Sequence, residues 1–131
     1  MNKSLNPQLT KQVIIGTKSQ SRRKIFKLMN LKFQYRSPNI NEKKVKDLNN
    51  DKYDALKIAK AKAEYLSKKY SNKIIVTFDT TILFKKKTIY KCASPECCKR
   101  TLKAFNDKSH DLYTAMILSL IHISEPTRRA I

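Results

Sequence analysis

An aspartate in the middle of a long apolar run limits what this chain can fold into more than any other feature. The segment Ile74-Ile75-Val76-Thr77-Phe78-Asp79-Thr80-Thr81-Ile82-Leu83-Phe84 is β-branched and aromatic around a single carboxylate, the composition of a strand. Burying a lone carboxylate costs several kcal/mol unless it is paired or holds a cation. At period two, Thr77, Asp79 and Thr81 share one face, and Val76, Phe78, Thr80, Ile82 and Phe84 the other. Taken alone, the segment fits an edge strand whose polar face meets water. A buried Asp79 needs cationic partners from elsewhere in the chain.

The remaining pattern alternates strands with helices. Residues 1–11 are polar and predict a flexible N-terminal arm. Gln12 to Gly16 predicts a short strand, and Ser19 is a good N-cap for a helix over 20–30. Leu31 to Tyr35 predicts a second strand, and 39–50 an Asn-, Lys- and Asp-rich loop. From Lys52 to Tyr70, the positions Leu56, Ala59, Ala63, Leu66 and Tyr70 form a helical stripe. The Asp79 strand turns at Lys85-Lys86-Lys87 and returns through Thr88-Ile89-Tyr90. Ser94-Pro95-Glu96 opens a helix to Phe105, with a capping hydroxyl, a proline and an acid at its positive end. A last strand begins near His110. The expected fold class is therefore α/β, a mixed twisted sheet flanked by helices, because the 84–88 turn is too short for a crossover and forces one antiparallel pair.

The chain has 131 residues and a formal net charge of +19, enough for one domain with a modest core. The charge fits nucleic acid, an anionic membrane surface or a polyanionic small molecule; a lysine-rich solvated face accounts for it equally well. A single glycine, Gly16, excludes the glycine-rich phosphate loops, so side chains must do most of any phosphate binding. Cys92, Cys97 and Cys98 have neither good disulfide nor good zinc spacing, which points to reduced thiols and a cytoplasmic home. The N-terminus lacks an apolar signal core, and no stretch has membrane-spanning length.

Several polar residues stand where chemistry is usually found. Ser19, Arg22 and Arg23 sit where a strand feeds a helix N-terminus, a location suited to anions, and two guanidiniums can each grip phosphate oxygens in pairs. An ordinary capped helix with surface arginines explains them too. Lys62 flanks the helical stripe, Glu42 lies in a polar loop, and Lys91 follows a strand end; singly, each is an ordinary solvated residue.

Together and in order, they resemble the Maf-like nucleotide pyrophosphatases. That family opens with a strand and a Ser-x-x-Arg-Arg segment, here Ser19-Gln20-Ser21-Arg22-Arg23. Glu42 follows a short strand and loop, and Ala59-Lys60-Ala61-Lys62-Ala63 matches an Ala-x-x-Lys-Ala helix. Asp79-Thr80 matches an Asp-Thr ending an apolar strand, Lys91 a lysine after a hairpin, and Ser109-His110-Asp111-Leu112-Tyr113-Thr114 a Ser-x-His-x-x-x-Thr-like segment. The resemblance covers residues 12–117. Thr77-Phe78, Lys91-Cys92 and Asn106-Asp107 depart from the family's Gly-Ala, Lys-Pro and Ser-Gly. Residues 118–131 resemble translated sequencing adapter and are expected to be a non-native tail, which leaves the domain over 12–117 incomplete at its C-terminus.

The resemblance implies a Maf/inosine-triphosphatase-like fold and hydrolysis of a nucleoside triphosphate to a monophosphate and pyrophosphate. It implies Ser19, Arg22, Arg23, Lys62 and Lys91 as substrate-binding residues, and Asp79 as catalytic. Asp79 and Glu42 would hold Mg²⁺ or Mn²⁺, and Asp79 as base and as metal ligand are not separable here. Asp79-Thr80 and His110 look like the family branch acting on dTTP and UTP. Homodimers are common in that family, although no residue here demonstrates one. The alternatives are a small basic nucleic-acid-binding protein without catalysis, recruiting Tyr35, Phe84 and Tyr90, or an inactive fragment with open strand edges.

Overall fold

A computed structural model describes residues 7–120. Its elements in chain order are α1 (Pro7–Gln12), β1 (Val13–Gly16), α2 (Gln20–Leu28), β2 (Gln34–Arg36), a 3₁₀ turn (Glu42–Lys44), α3 (Asp54–Lys69), β3 (Ile74–Phe84), β4 (Lys87–Ile89), α4 (Pro95–Phe105) and β5 (Asp111–Ser119). The strands make one mixed sheet. β1 pairs in parallel with β2 and β3, and β3 pairs antiparallel with β4 and β5. This is the expected fold class.

Packing follows from the side chains on each face. α3 lies on one face of the sheet, and its inner stripe is Ala55, Ile58, Ala59, Ala63 and Leu66. That stripe is rotated slightly from the one expected, since Leu56 is only half-buried. The small alanines let the helix approach closely, and Ile14, Ala63, Leu66 and Ile75 form the core. The sole glycine is explained here. A Cβ on Gly16 would meet Leu66 Cδ1 at 2.4 Å and Thr77 Cγ2 at 2.9 Å. α2 covers the opposite face through Phe26, whose ring lies 5.7 Å from Phe33, 6.4 Å from Tyr35 and 6.2 Å from Phe78.

The structure takes β3 out of the edge position that the segment alone fits and buries Asp79, as the reading with cationic partners requires. β3 is a central strand with partners on both edges, and its polar face is the buried one. Thr77, Asp79 and Thr81 are all buried, whereas Phe78 and Ile82 are half-exposed and Thr80 is exposed. The reason is that α3 supplies partners for the polar groups. Thr77 Oγ1 donates to the Ala59 carbonyl at 2.7 Å, so the hydroxyl is buried without an unmet bond.

Two segment boundaries also differ. Where a flexible arm is expected over 1–11, the described part is helical from Pro7; proline suits a first helical position, which needs no N–H donor. β5 runs through Leu118 and Ser119, paired with Val76 and Ile75, so the strand crosses the junction expected at 118. The tail expected beyond residue 120 lies outside the described residues. Turns that glycine would usually serve are taken by Asn30, Asn72 and Asp107, all with positive φ; Asn and Asp tolerate this conformation better than other side chains. No helix among the described residues is long and apolar enough to cross a membrane.

Candidate active site

A gap along one edge of β3 creates the site. β1 leaves β3 at Thr77 and β4 joins it at Ile82. Both lie on the edge opposite β5, which pairs with residues 75–83. Residues 78–81 therefore have no strand beside them on that edge, and their backbone groups are free to bind side chains or ligand. Because β1 and β3 are parallel, the helix that follows β1 starts at the same place. Crevices beyond the carboxyl ends of parallel strands are where α/β sheets bind ligands.

From the α3 side, Lys62 enters this gap. Its Nζ donates to Asp79 Oδ1 at 3.2 Å and to the Phe78 carbonyl at 3.2 Å, and lies 3.1 Å from Glu42 Oε1. Asp79 is only 6% exposed. Burial raises its pKa above the usual carboxylate value; the Lys62 charge and hydrogen bond oppose that rise, the Glu42 charge adds to it, and a hydrogen bond from Thr81 opposes it. Thr81 Oγ1 donates to Asp79 Oδ2 at 3.4 Å. Both ion pairs seen among the described residues belong to Lys62.

From the α2 side, Ser19 caps the helix by accepting from the Arg22 N–H at 3.3 Å. Thr17 Oγ1 in turn accepts from the Ser19 N–H at 3.0 Å. Arg22 reaches over the sheet. Its Nη2 donates to Thr80 Oγ1 at 3.0 Å, and its guanidinium lies 5.3 Å from the centre of the Phe78 ring. Thr80 Oγ1 is also 2.9 Å from Thr114 Oγ1 on β5.

These groups line a cleft of about 570 Å³ that contains Ser19, Arg22, Glu42, Lys62, Asp79 and Lys91. Residues far apart in sequence thus converge as expected, with one difference. Arg23, expected at the phosphates, does not line the cleft. Its Nη2 donates to the Thr17 carbonyl at 3.0 Å and its guanidinium lies 5.1 Å from the Tyr35 ring. Adjacent helical residues point about a quarter-turn apart or more, so only one of the two arginines can face the gap. His110 also stands apart, stacked on Phe105 at 4.7 Å.

Sequence patterns assigned no site role to Thr81 or Thr17, and named Thr114 only as part of the Ser-x-His-x-x-x-Thr-like segment. Thr81 carried a signal, because its i+2 spacing places it on the Asp79 face of a strand. Thr17 acts through loop geometry and Thr114 meets Thr80 through strand register, which no local pattern encodes. The Lys62 ammonium is held by oxygens of Glu42, Asp79 and the Phe78 backbone, an all-oxygen set of the kind hard divalent cations prefer. Glu42 and Asp79 are thus two carboxylates of the chemical kind that binds divalent cations. No group of three His, Cys, Asp or Glu suited to a metal occurs among the described residues.

The chain is 29% identical over 116 residues to a nucleoside triphosphate pyrophosphatase of Pelagibacter ubique, an alignment covering 85% of this chain and 60% of that protein. It is 31% identical over 104 residues to a dTTP/UTP pyrophosphatase of Pyrococcus furiosus, covering 79% of this chain and 54% of the relative. The chain thus spans a little over half the length of each. The family model for Maf-like proteins matches residues 12–130, and with that match extending over nearly the whole sequence, the chain belongs to the Maf-like family.

Proposed function

We propose that this protein is a nucleoside triphosphate pyrophosphatase. Water attacks the α-phosphorus, the bond from that phosphorus to the oxygen bridging it to the β-phosphorus breaks, and a nucleoside monophosphate and pyrophosphate leave. The observation that carries the proposal is Lys62 held between Glu42 and Asp79 in a gap that also receives the α2 N-terminus and Arg22.

Each residue has a physical task. A triphosphate carries about four negative charges, which Arg22, Lys62 and Lys91 neutralise while holding the chain of phosphates for in-line attack. Ser19 and the first N–H groups of α2 add hydrogen bonds where the helix dipole favours an anion. Asp79 accepts the proton of the attacking water. In the metal-free protein burial raises its pKa, which favours proton acceptance, and a bound cation would oppose that rise. Glu42 and Asp79 would hold a divalent cation, which would supply charge neutralisation at the phosphates. The Asp79-Thr80 pair and the named activity of the Pyrococcus relative support dTTP and UTP as substrates.

The test is product analysis after incubation with UTP, dTTP and GTP in the presence of Mg²⁺ or Mn²⁺. Equimolar monophosphate and pyrophosphate are expected, and Asp79→Asn should lower turnover by about 10²–10⁴-fold. Release of a diphosphate and orthophosphate, or full activity in Asp79→Asn, would refute the proposal.

A further inference from the structure

Beside the β3–β4 turn lies another cavity, of about 420 Å³, that shares no lining residue with the phosphate cleft. It is bounded by Lys52 and Tyr53 ahead of α3, by Lys85 and Lys86 in the turn, and by Asp111 and Tyr113 at the start of β5. Phe84 pairs with Lys87, so Lys85-Lys86 is a two-residue turn, and both residues have positive φ, 51° and 62°. Such turns prefer Asn-Gly, so backbone geometry does not account for two lysines here. Lys108 stands beside Lys85, and its hydrogen bond and charge hold the Lys85 pKa below the ordinary value. Lys52, Lys85, Lys86 and Lys108 form no ion pair among the described residues. Lys52 Nζ lies 5.2 Å from the centre of the Tyr53 ring, and Tyr53 is 54% exposed.

We propose that this cavity binds single-stranded nucleic acid, with the ammoniums of Lys52, Lys85, Lys86 and Lys108 on backbone phosphates and Tyr53 stacked on a base. This function is separate from the pyrophosphatase reading and does not depend on it. Four ammoniums without ion-pair partners, gathered on one rim, favour an anion. They outnumber the two carboxylates at the same cavity, Asp51 and Asp111, and Asp51 Oδ1 already accepts from the Tyr53 N–H at 2.8 Å. All four lysines are exposed, and a lone phosphate held by exposed ammoniums gains little in water. A polymer gains at every phosphate it brings, through release of its counterions. An exposed tyrosine ring flanked by cations is a stacking platform for a base. In a duplex the bases are stacked on one another and offer no free face to Tyr53, which selects a single strand.

Fluorescence anisotropy of a labelled oligothymidylate of about ten nucleotides, in EDTA and at increasing salt, tests the site. Binding should weaken about 20-fold between about 50 and 200 mM salt, the fall for about three neutralised phosphates. Lys85→Asn with Lys86→Gly gives the turn the residues it prefers, so folding is preserved. That variant should weaken binding about tenfold at low salt and flatten the salt dependence. Tyr53→Ala should weaken binding about five- to tenfold with the salt dependence unchanged, and Asp111→Asn should strengthen it. Lys68→Ala with Lys69→Ala, in the last turn of α3, should change it by less than about twofold. A loss in that α3 variant as large as in the turn variant would show diffuse charge and overturn the site. Binding unaffected by Tyr53→Ala, or a duplex bound as tightly as the single strand, overturns it too. So does displacement of the oligonucleotide by the α,β-methylene analogue of UTP, which would place the strand in the phosphate cleft. Oligoglutamate of equal length binding as tightly overturns nucleic acid as the ligand. Nothing in the assay requires turnover, so a failure here and a failure of the pyrophosphatase reading are told apart.

Discussion

Replacing Lys62 by methionine should destabilise the protein, and the size of the loss should depend on pH in a defined direction. Methionine keeps most of the apolar stem, which is well buried, but removes the ammonium that Glu42, Asp79 and the Phe78 carbonyl share. Glu42 is half-exposed and returns to water at little cost. Asp79 is not free to do so. Breaking a buried pair by removing one partner costs about 3–5 kcal/mol, and the lower end applies because the Thr81 hydroxyl remains. Asp79 can escape that cost by taking up a proton. Its folded-state pKa already lies above the ordinary value through burial, and loss of Lys62 raises it further. A group whose folded pKa is raised favours the folded state fully below its unfolded pKa, and that contribution is lost as pH rises through the folded value. The penalty of Lys62→Met should therefore be small near pH 4, should grow by up to about 1.4 kcal/mol per pH unit, and should level at about 3 kcal/mol by pH 8. Urea unfolding of both proteins in EDTA at pH 4–8 measures it. Asp79→Asn combined with Lys62→Met should recover most of the loss at pH 8. A pH-independent difference, or a double variant less stable than Lys62→Met, would show that Asp79 does not depend on Lys62 for its charge.

Other expectations follow from single contacts. Gly16→Ala should cost about 1–3 kcal/mol in urea unfolding, since the new methyl meets the fully buried Leu66 side chain at 2.4 Å. Arg22→Ala should weaken triphosphate binding by about 10–100-fold, the worth of one charged hydrogen-bonding group, and lower stability by less than about 1 kcal/mol, since its bond to Thr80 is exposed. Arg23→Ala should do the opposite, lowering stability by about 1–2 kcal/mol through its bonds to Thr17 and the Tyr35 ring and leaving affinity within about twofold. Amide hydrogen exchange should show α3 and β3 protected near the global limit and α2 opening locally, because no residue of α2 is fully buried. A triphosphate should slow α2 selectively.

How far the sequence predicted this protein depended on whether a feature was local. Every strand and helix from β1 to β5 lay within a few residues of its expected place, because period, capping residues and Pro95 are written in neighbouring positions. The gathering of Ser19, Glu42, Lys62, Asp79 and Lys91 was legible only through an ordered resemblance, since singly each looked like a solvated residue. Which face of β3 is buried was not legible from the segment alone, for a physical reason. A hydrophobic pattern identifies the buried face only when apolar packing decides it. Here α3 offers a carbonyl to Thr77 and an ammonium to Asp79, so the polar face is the one covered. Meanwhile Met116 and Leu118, opposite Phe78 and Val76, stay 62% and 57% exposed.

That inversion bears on how the site is built. The Asp79–Lys62 half is mounted on the face that contains the core residues Ile14, Leu66 and Ile75. Small errors in its geometry are resisted by close packing on every side. The Arg22 half is mounted on the other face, by an aromatic cluster around Phe26 and a chain of exposed hydroxyls at Thr80 and Thr114. In the proposed reaction, a proton acceptor must be held within fractions of an ångström of the attacking water, whereas a phosphate-binding guanidinium can follow its ligand as charge shifts. Placing the acid against the core and the arginine on the open face assigns rigidity to the group that needs it. The cost of covering Thr77 and Asp79 is met by α3, the same helix that delivers Lys62, and Thr81 is satisfied by Asp79 itself.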